Sequence, residues 1–93
     1  MSKRKYAVQK NPFRVYILRC SDDSFYTGIT NDLPRRLRQH SAGTASKYTR
    51  SRLPVSLLYS ELHPSRSVAL KREAAVKKLR RRQKESLIKL LIR

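Results

Sequence analysis

The alternation of hydrophobic and polar residues divides the chain into short strands and helices. Phe13–Cys20 and Phe25–Thr30 are rich in β-branched and aromatic residues, a composition that favours two strands. The polar residues 21–24 between them are typical of a turn, so the two strands are predicted to form a hairpin. The same criteria predict a third strand at Val55–Ser60.

Apolar residues spaced three and four apart predict the helices. Asp32 offers a cap and Pro34 a first-turn residue to a short helix that ends near residues 40–43. Longer helices are predicted at about Ser67–Arg82 and Lys84–Ile92, whereas residues 42–54 lack apolar periodicity and are predicted to form a basic loop. The order β-β-α-β-α-α indicates an α+β fold with helices packed on a small sheet. The first long helix has the apolar stripe Val68, Ala69, Ala75, Val76 and Leu79.

Composition adds a strong positive charge. The chain of 93 residues has 23 Lys and Arg against 6 Asp and Glu, a formal net charge of +17 spread along its whole length. This balance argues against a neutral metabolic enzyme and predicts a polyanionic partner: DNA or RNA, with an anionic membrane as a weaker alternative. No apolar stretch approaches the length that spans a bilayer. Residues 1–12 are predicted to be a basic arm and residues 13–92 a single domain.

Cysteine usage fits a reducing compartment. Cys20 is the only cysteine, so an internal disulfide is excluded, and its apolar surroundings predict a small core residue. The predicted location is the cytoplasm. The sequence does not fix the oligomeric state: a monomer is one alternative, and an association face formed by Leu87, Ile88, Leu90 and Leu91 is the other.

Glu73 stands out among the six acidic residues because it lies in the middle of a basic helix. It follows Ala69 by four residues and precedes Val76 by three, which places it on or beside the apolar face. A carboxylate there needs a partner, either a basic side chain or a metal ion. An ion pair within the helix is the simpler alternative.

Arg36 and His40 lie four residues apart on the short helix and therefore share one face. The planar guanidinium of arginine suits phosphate, and histidine can move a proton near neutral pH. Each has a simpler explanation. Arg36, with Arg35 and Arg38, can form a solvated basic face, and His40 is favoured at a helix C-terminus by the dipole.

Three tyrosines complete the candidate chemistry. Tyr16 and Tyr26 lie near equivalent heights on the paired strands, where half-buried aromatic residues are common. A tyrosine that activates water needs a neighbour that lowers its pKa, and Arg36 is one candidate. Tyr48 lies between Lys47 and Arg50, a combination that suits a base or a phosphate, although a packed loop aromatic is the alternative.

Taken in order, these residues resemble the GIY-YIG nuclease superfamily. The resemblance runs from about Phe13 to Leu90 and is closest to the small stand-alone bacterial members. It implies a three-stranded antiparallel sheet flanked by helices, and an endonuclease that uses Mg²⁺ or Mn²⁺ to cut DNA, with DNA favoured over RNA and DNA repair or processing as its setting. The residues that carry it are Val15-Tyr16-Ile17, Tyr26-Thr27-Gly28, Arg36, His40 and Glu73.

The resemblance also implies a role for each residue. Glu73 would be the one protein ligand of the metal ion. Arg36 would stabilise the pentavalent transition state. Tyr16 would act as the general base or orient the water, Tyr26 would hydrogen-bond into the same site, and His40 would assist proton transfer.

The second motif adds Gly28, which would let the backbone turn tightly beside the site. The first motif reads Val-Tyr-Ile instead of Gly-Ile-Tyr, and the second has Thr27 in place of Ile. Two other hypotheses use the same charge without catalysis. One is a nucleic-acid-binding protein on this fold, and the other is a small basic ribosome-associated or structural protein.

Overall fold

Residues 12–92 are described by a computed structural model. Within them, strands β1 (Phe13–Arg19), β2 (Phe25–Thr30) and β3 (Ser56–His63) form one antiparallel sheet in the order β2-β1-β3. The predicted α+β architecture is confirmed. The predicted basic arm, residues 1–12, lies outside the described residues except for Pro12. The helices are α1 (Leu33–Ser41), α2 (Lys47–Arg50), α3 (Arg66–Lys77) and α4 (Arg81–Ile92).

Strand β1 is the central strand and is buried on both faces, which explains its nearly continuous apolar sequence. Val15 and Ile17 face the helices α3 and α4, where they pack with Ala69, Val76 and Ile88. The alternating residues Tyr16 and Leu18 point to the opposite face, as the period of a strand requires. The sheet therefore separates the hydrophobic core from the face that carries Tyr16.

Side-chain caps fix where three of the helices begin. The carboxylate of Asp32 accepts a hydrogen bond from the backbone N–H of Arg35, as predicted for α1. Ser65 caps α3 in the same way. Ser46 accepts from the N–H of Thr49 and so begins α2.

Helix α2 corrects the prediction of a loop over residues 42–54. A helix of one turn is too short to show an apolar period, so the only signal for it in the sequence is the cap at Ser46. The short helix brings Thr49 under α1, where its side chain is fully buried.

Other predicted boundaries were also wrong. The third strand is Ser56–His63 instead of Val55–Ser60, so Glu61 lies inside it. The long helix ends at Lys77 instead of Arg82, because the N–H groups of Lys78 and Leu79 bond back to the carbonyls of residues 75 and 76, three positions earlier. The last helix begins at Arg81 instead of Lys84. Of the apolar stripe predicted for the long helix, Ala69 and Val76 are buried, whereas Val68 and Ala75 are exposed.

A polar cluster on β3 holds the sheet to α3. The Glu61 carboxylate accepts hydrogen bonds from the Tyr59 hydroxyl, His63 Nε2 at 2.7 Å and Arg72 Nε at 2.6 Å. The Arg72 fork adds a second bond of 3.1 Å. Burial alone would raise the pKa of Glu61, but the hydrogen bonds, led by those from Arg72, lower it to about 2. Glu61 is therefore a structural carboxylate.

We expect Glu61→Gln to destabilise the fold at neutral pH and to flatten its response to acid. The pKa of Glu61 is about 2 in the folded protein and 4.5 ordinarily. The ionised carboxylate therefore stabilises the fold fully above pH 4.5, and this stabilisation is lost as the pH falls from 4.5 towards 2. By linkage it amounts to about 3 kcal/mol. Chemical denaturation across this pH range measures the loss. Glu85→Gln, which removes an exposed carboxylate paired with Arg81, is the control. Equal losses in the two variants would contradict the structural role of Glu61.

Candidate functional site

The site is built around the ring of Tyr16, which crosses from β1 to β2. Tyr16 pairs with Gly28, and a β-carbon at residue 28 would lie 2.6 Å from the Tyr16 hydroxyl and 2.8 Å from Cζ. The ring therefore lies over the backbone of β2, at the free edge of the sheet, where no side chain blocks it. Gly28 lies within β2 and makes room for Tyr16; the tight turn expected of it is not formed there.

His40 at the end of α1 binds the Tyr16 hydroxyl. Its Nε2 lies 2.8 Å from the hydroxyl oxygen, and both residues are 1% exposed. Burial, and next the neighbouring Tyr26, raise the pKa of Tyr16 well above its usual value, although Arg36 offsets part of the effect. Burial, and then the charge of Arg36, lower the pKa of His40. Tyr16 therefore keeps its proton, and the imidazole beside it is neutral.

Arg36 and Glu73 bring opposite charges to this hydroxyl. The guanidinium of Arg36 donates to Gln39 Oε1 at 3.0 Å, and its positive charge lowers the pKa of Tyr16. Glu73 on α3 acts in the other direction and raises that pKa. Helix α3, which carries Glu73, packs on the core face of the sheet and contacts both β1 and β2.

Glu73 also has a partner within its own helix. Its side chain is 17% exposed, and one oxygen lies 3.4 Å from Lys77 Nζ. The ion pair within the helix, which is the simpler explanation of Glu73, is therefore present. Glu73 also lies close enough to Tyr16 for its charge to affect the Tyr16 pKa. Among residues 12–92 no group of three or more His, Cys, Asp or Glu side chains is arranged to hold a metal ion. One carboxylate with water and phosphate oxygens is an ordinary Mg²⁺ environment, so the donor chemistry of Glu73 fits such an ion.

An aromatic cluster borders the site. The Tyr26 ring lies 6.3 Å from Tyr16 and 5.2 Å from His40, and it stacks on Tyr48 at 6.1 Å, measured between ring centroids. The guanidinium of Arg52 lies 3.8 Å over the Tyr48 ring and is held by Asp22 at 3.0 Å. Arg52 thus covers one face of the Tyr48 ring, so a nucleic-acid base could stack only on a part of the ring that Arg52 does not cover.

The other basic residues proposed to bind nucleic acid lie around the site. Arg35 lines a hollow together with Arg36, and Arg38 is exposed on α1. Lys47 and Arg50 line a different hollow beside Gly43. Among the described residues, none of these four forms a hydrogen bond with the Tyr16 hydroxyl.

Sequence reasoning missed several residues of this region. Ser46 and Thr49 were placed in a loop, although their spacing of three is the usual one for a cap. Arg52 gave no signal, since its contacts with Asp22 and Tyr48 depend on the fold. Lys77 and Lys84 join Tyr26 and Tyr48 in lining a hollow along β2, and nothing in their spacing indicates this.

A family model for the GIY-YIG catalytic domain matches residues 12–86. The chain belongs to the GIY-YIG family. Membership supports a nuclease-like function in general terms, and nucleases of this family generally depend on a divalent metal ion. No helix among residues 12–92 has the length and apolar character needed to cross a membrane.

Relatives within the GIY-YIG family are proteins named UPF0213. One from Streptococcus sanguinis is 50% identical over 80 residues, which is 86% of this chain and 92% of that protein. One from Halobacterium salinarum is 49% identical over 73 residues, or 78% and 95% of the two chains. The solution NMR structure of the UPF0213 protein from Bacillus halodurans is 46% identical, with a TM-score of 0.56 and coverage of 85% and 84%. That of an E. faecalis protein is 45% identical, with a TM-score of 0.60 and coverage of 86% and 85%.

Gly28→Ala tests whether the open backbone of β2 holds Tyr16 in place. The added methyl group would overlap a buried, hydrogen-bonded ring, so we expect a loss of about 1–3 kcal/mol in stability and a displaced Tyr16. Thermal unfolding measures the first effect, and the ring resonances of Tyr16 and His40 report the second. Unchanged resonances and stability would mean that the close approach of ring and backbone is not required.

Proposed function

We propose that this GIY-YIG protein is a divalent-metal-dependent endonuclease that hydrolyses phosphodiester bonds in DNA. One observation carries the proposal. Tyr16 and His40 form a buried hydrogen-bonded pair, and the charges of Arg36 and Glu73 shift the pKa of the Tyr16 hydroxyl in opposite directions. A protein that only binds nucleic acid gains nothing from a half-buried acidic side chain, which repels phosphate.

In this mechanism Tyr16 and His40 work as a pair. Tyr16 is protonated, so it cannot act as a base until it gives up its own proton. We propose that the hydroxyl oxygen takes a proton from the attacking water while its own proton passes to His40 Nε2. The hydroxide then attacks phosphorus, the bond to the leaving oxygen breaks, and solvent protonates that oxygen.

The remaining residues handle the charge of the phosphate. Arg36 keeps its charge at all working pH values and offers a planar fork, so it would stabilise the negative charge that builds up in the transition state. Glu73 would hold Mg²⁺ or Mn²⁺, which when bound would stabilise charge on the phosphate oxygens. Tyr26, packed against His40 and Tyr16, would exclude water from the pair.

The accessible parts of the site fit the same reaction. Tyr16 and His40 are almost sealed in the free protein, whereas Arg36, Tyr26 and Glu73 are half-buried. The substrate must therefore displace one of the half-buried side chains to reach the hydroxyl. The basic residues around the site would attract DNA from either side: Arg35, Arg38, Lys47 and Arg50.

The second candidate function is a non-catalytic nucleic-acid-binding protein on the same fold. The charge of +17 favours it, because that charge alone supports salt-sensitive binding.

For the nuclease, the proposed substrate is DNA instead of RNA, and the proposed setting is DNA repair or processing in the cytoplasm. A panel of duplex, nicked, branched and single-stranded DNA, with an RNA duplex alongside, tests the choice of substrate.

Glu73→Gln should abolish metal-dependent cleavage and leave DNA affinity equal or higher, because it removes one negative charge from the site. Cleavage of supercoiled plasmid with Mg²⁺, Mn²⁺ or EDTA measures the first effect, and titration with labelled DNA the second. Glu85→Gln is a matched control, since Glu85 also pairs with a basic residue four positions away but lies on α4. Equal cleavage by the two variants would contradict a role for Glu73.

Arg36→Lys should slow cleavage by about 100-fold or more, because a point charge replaces a planar fork beside the reacting oxygen. Single-turnover rates separate this effect from weaker binding when the protein is in excess of the DNA and its concentration is well above the dissociation constant of the complex. Arg66→Lys, an exposed change at the opposite end of α3 from Lys77, is the control. A near-normal rate for Arg36→Lys would make Arg36 a surface residue.

A further inference from the structure

His40 is held at both of its ring nitrogens. Nε2 lies 2.8 Å from the Tyr16 hydroxyl, and Nδ1 lies 2.9 Å from Oγ1 of Thr49. Thr49 is 0% exposed. It lies on the one-turn helix α2, on the opposite side of the His40 ring from Tyr16.

Counting protons fixes the direction of each hydrogen bond. A neutral imidazole has one N–H donor and one bare acceptor nitrogen. Among the described residues, the Tyr16 hydroxyl has His40 as its only hydrogen-bonded acceptor, so Tyr16 donates and Nε2 is bare. The proton of His40 is then on Nδ1, which donates to Thr49 Oγ1. The opposite assignment would leave the buried Tyr16 hydroxyl without an acceptor.

Ser46 completes the chain of hydrogen bonds. Its Oγ lies 3.0 Å from Thr49 Oγ1, so it can accept the hydroxyl proton of Thr49 once Thr49 accepts from His40. The same Oγ accepts the backbone N–H of Thr49 at 3.1 Å. The cap that begins α2 therefore also orients the Thr49 hydroxyl.

We propose that Thr49 is a positioning residue that selects the tautomer of His40, keeping the proton on Nδ1 and leaving Nε2 free to take the proton of Tyr16. The arrangement has the logic of a base oriented by a third group. A hydroxyl in this place fixes the tautomer without adding a negative charge, so the buried imidazole stays neutral. The catalytic consequence rests on the proposed nuclease function, but the tautomer itself does not.

The ring nitrogens of His40 test the proposal directly. Long-range ¹H–¹⁵N NMR distinguishes a protonated from a bare imidazole nitrogen, and a His63→Gln background leaves His40 as the single described histidine. In the protein with Thr49 intact, His40 should have a protonated Nδ1 and a bare Nε2. Thr49→Val should shift the ring towards the other tautomer or a mixture, and Thr49→Ser should restore the original pattern.

Thr27→Val is a matched control for removing a buried threonine hydroxyl. Thr27 is buried like Thr49, but its Oγ1 has no hydrogen-bond partner among residues 12–92. This variant should leave both nitrogen shifts of His40 unchanged. Thermal unfolding of all three variants checks that they are folded. If Thr49→Val does not fold, the protein with Thr49 intact and Thr49→Ser still decide the matter, since a proton on Nε2 in either would overturn the proposal.

Cleavage adds a second readout. Thr49→Val should lower kcat by about 100-fold with little change in DNA affinity, and Thr49→Ser should be near normal. The pH profile of kcat should move in Thr49→Val only. A Thr49→Val protein with the original tautomer, or a Thr49→Ser protein as impaired as Thr49→Val, would overturn the proposal. Failure of the unaltered protein to cleave any substrate would reject the nuclease function and leave the NMR result to decide the role of Thr49.

Discussion

The hydrogen bond between Tyr16 and His40 is the constraint on which the rest of the site depends. It joins the central strand to α1 across the face of the sheet that the hydrophobic core does not occupy. The phenol can reach the imidazole only by crossing β2 at Gly28. A polar pair this deeply buried is tolerable only if each atom has a partner, which Thr49 supplies on the far side of His40. The contacts that pack α1 and α2 against the sheet are therefore the same ones that orient the side chains proposed to carry the proton transfer.

The two half-buried carboxylates of the sheet and α3 show how surroundings decide function. Glu61 receives four hydrogen bonds, which leaves its oxygens no capacity for a further ligand. Glu73 has a single lysine at 3.4 Å, a distance too long for a strong hydrogen bond, so its oxygens keep free lone pairs. This difference is why Glu73, and not Glu61, is the carboxylate proposed to hold a metal ion.

Sequence reasoning predicted what periodicity and spacing encode. The three strands, the cap at Asp32 and the order of elements were recoverable because each depends on residues close together in the chain. Helix α2, with four residues, has no period to detect. The burial of Glu61 and the contact of Arg52 with Tyr48 arise from residues far apart in sequence, so local pattern has no information about them. Family resemblance named Tyr16, His40 and Glu73, but it did not reveal that Tyr16 is a proton donor in the folded protein.

The site has a buried pair, Tyr16 and His40, and a more accessible rim that includes Arg36 and Tyr26. This division separates the proposed proton transfer from the choice of substrate. Tyr16 and His40 are buried, and in the proposed mechanism they carry the proton transfer. The choice of substrate would then lie with the rim, where Arg36, Tyr26 and the flanking basic residues would meet the phosphate backbone first. Since the rim residues lie on α1, α2 and the edge strand, substitutions there can change the substrate while the buried pair stays the same.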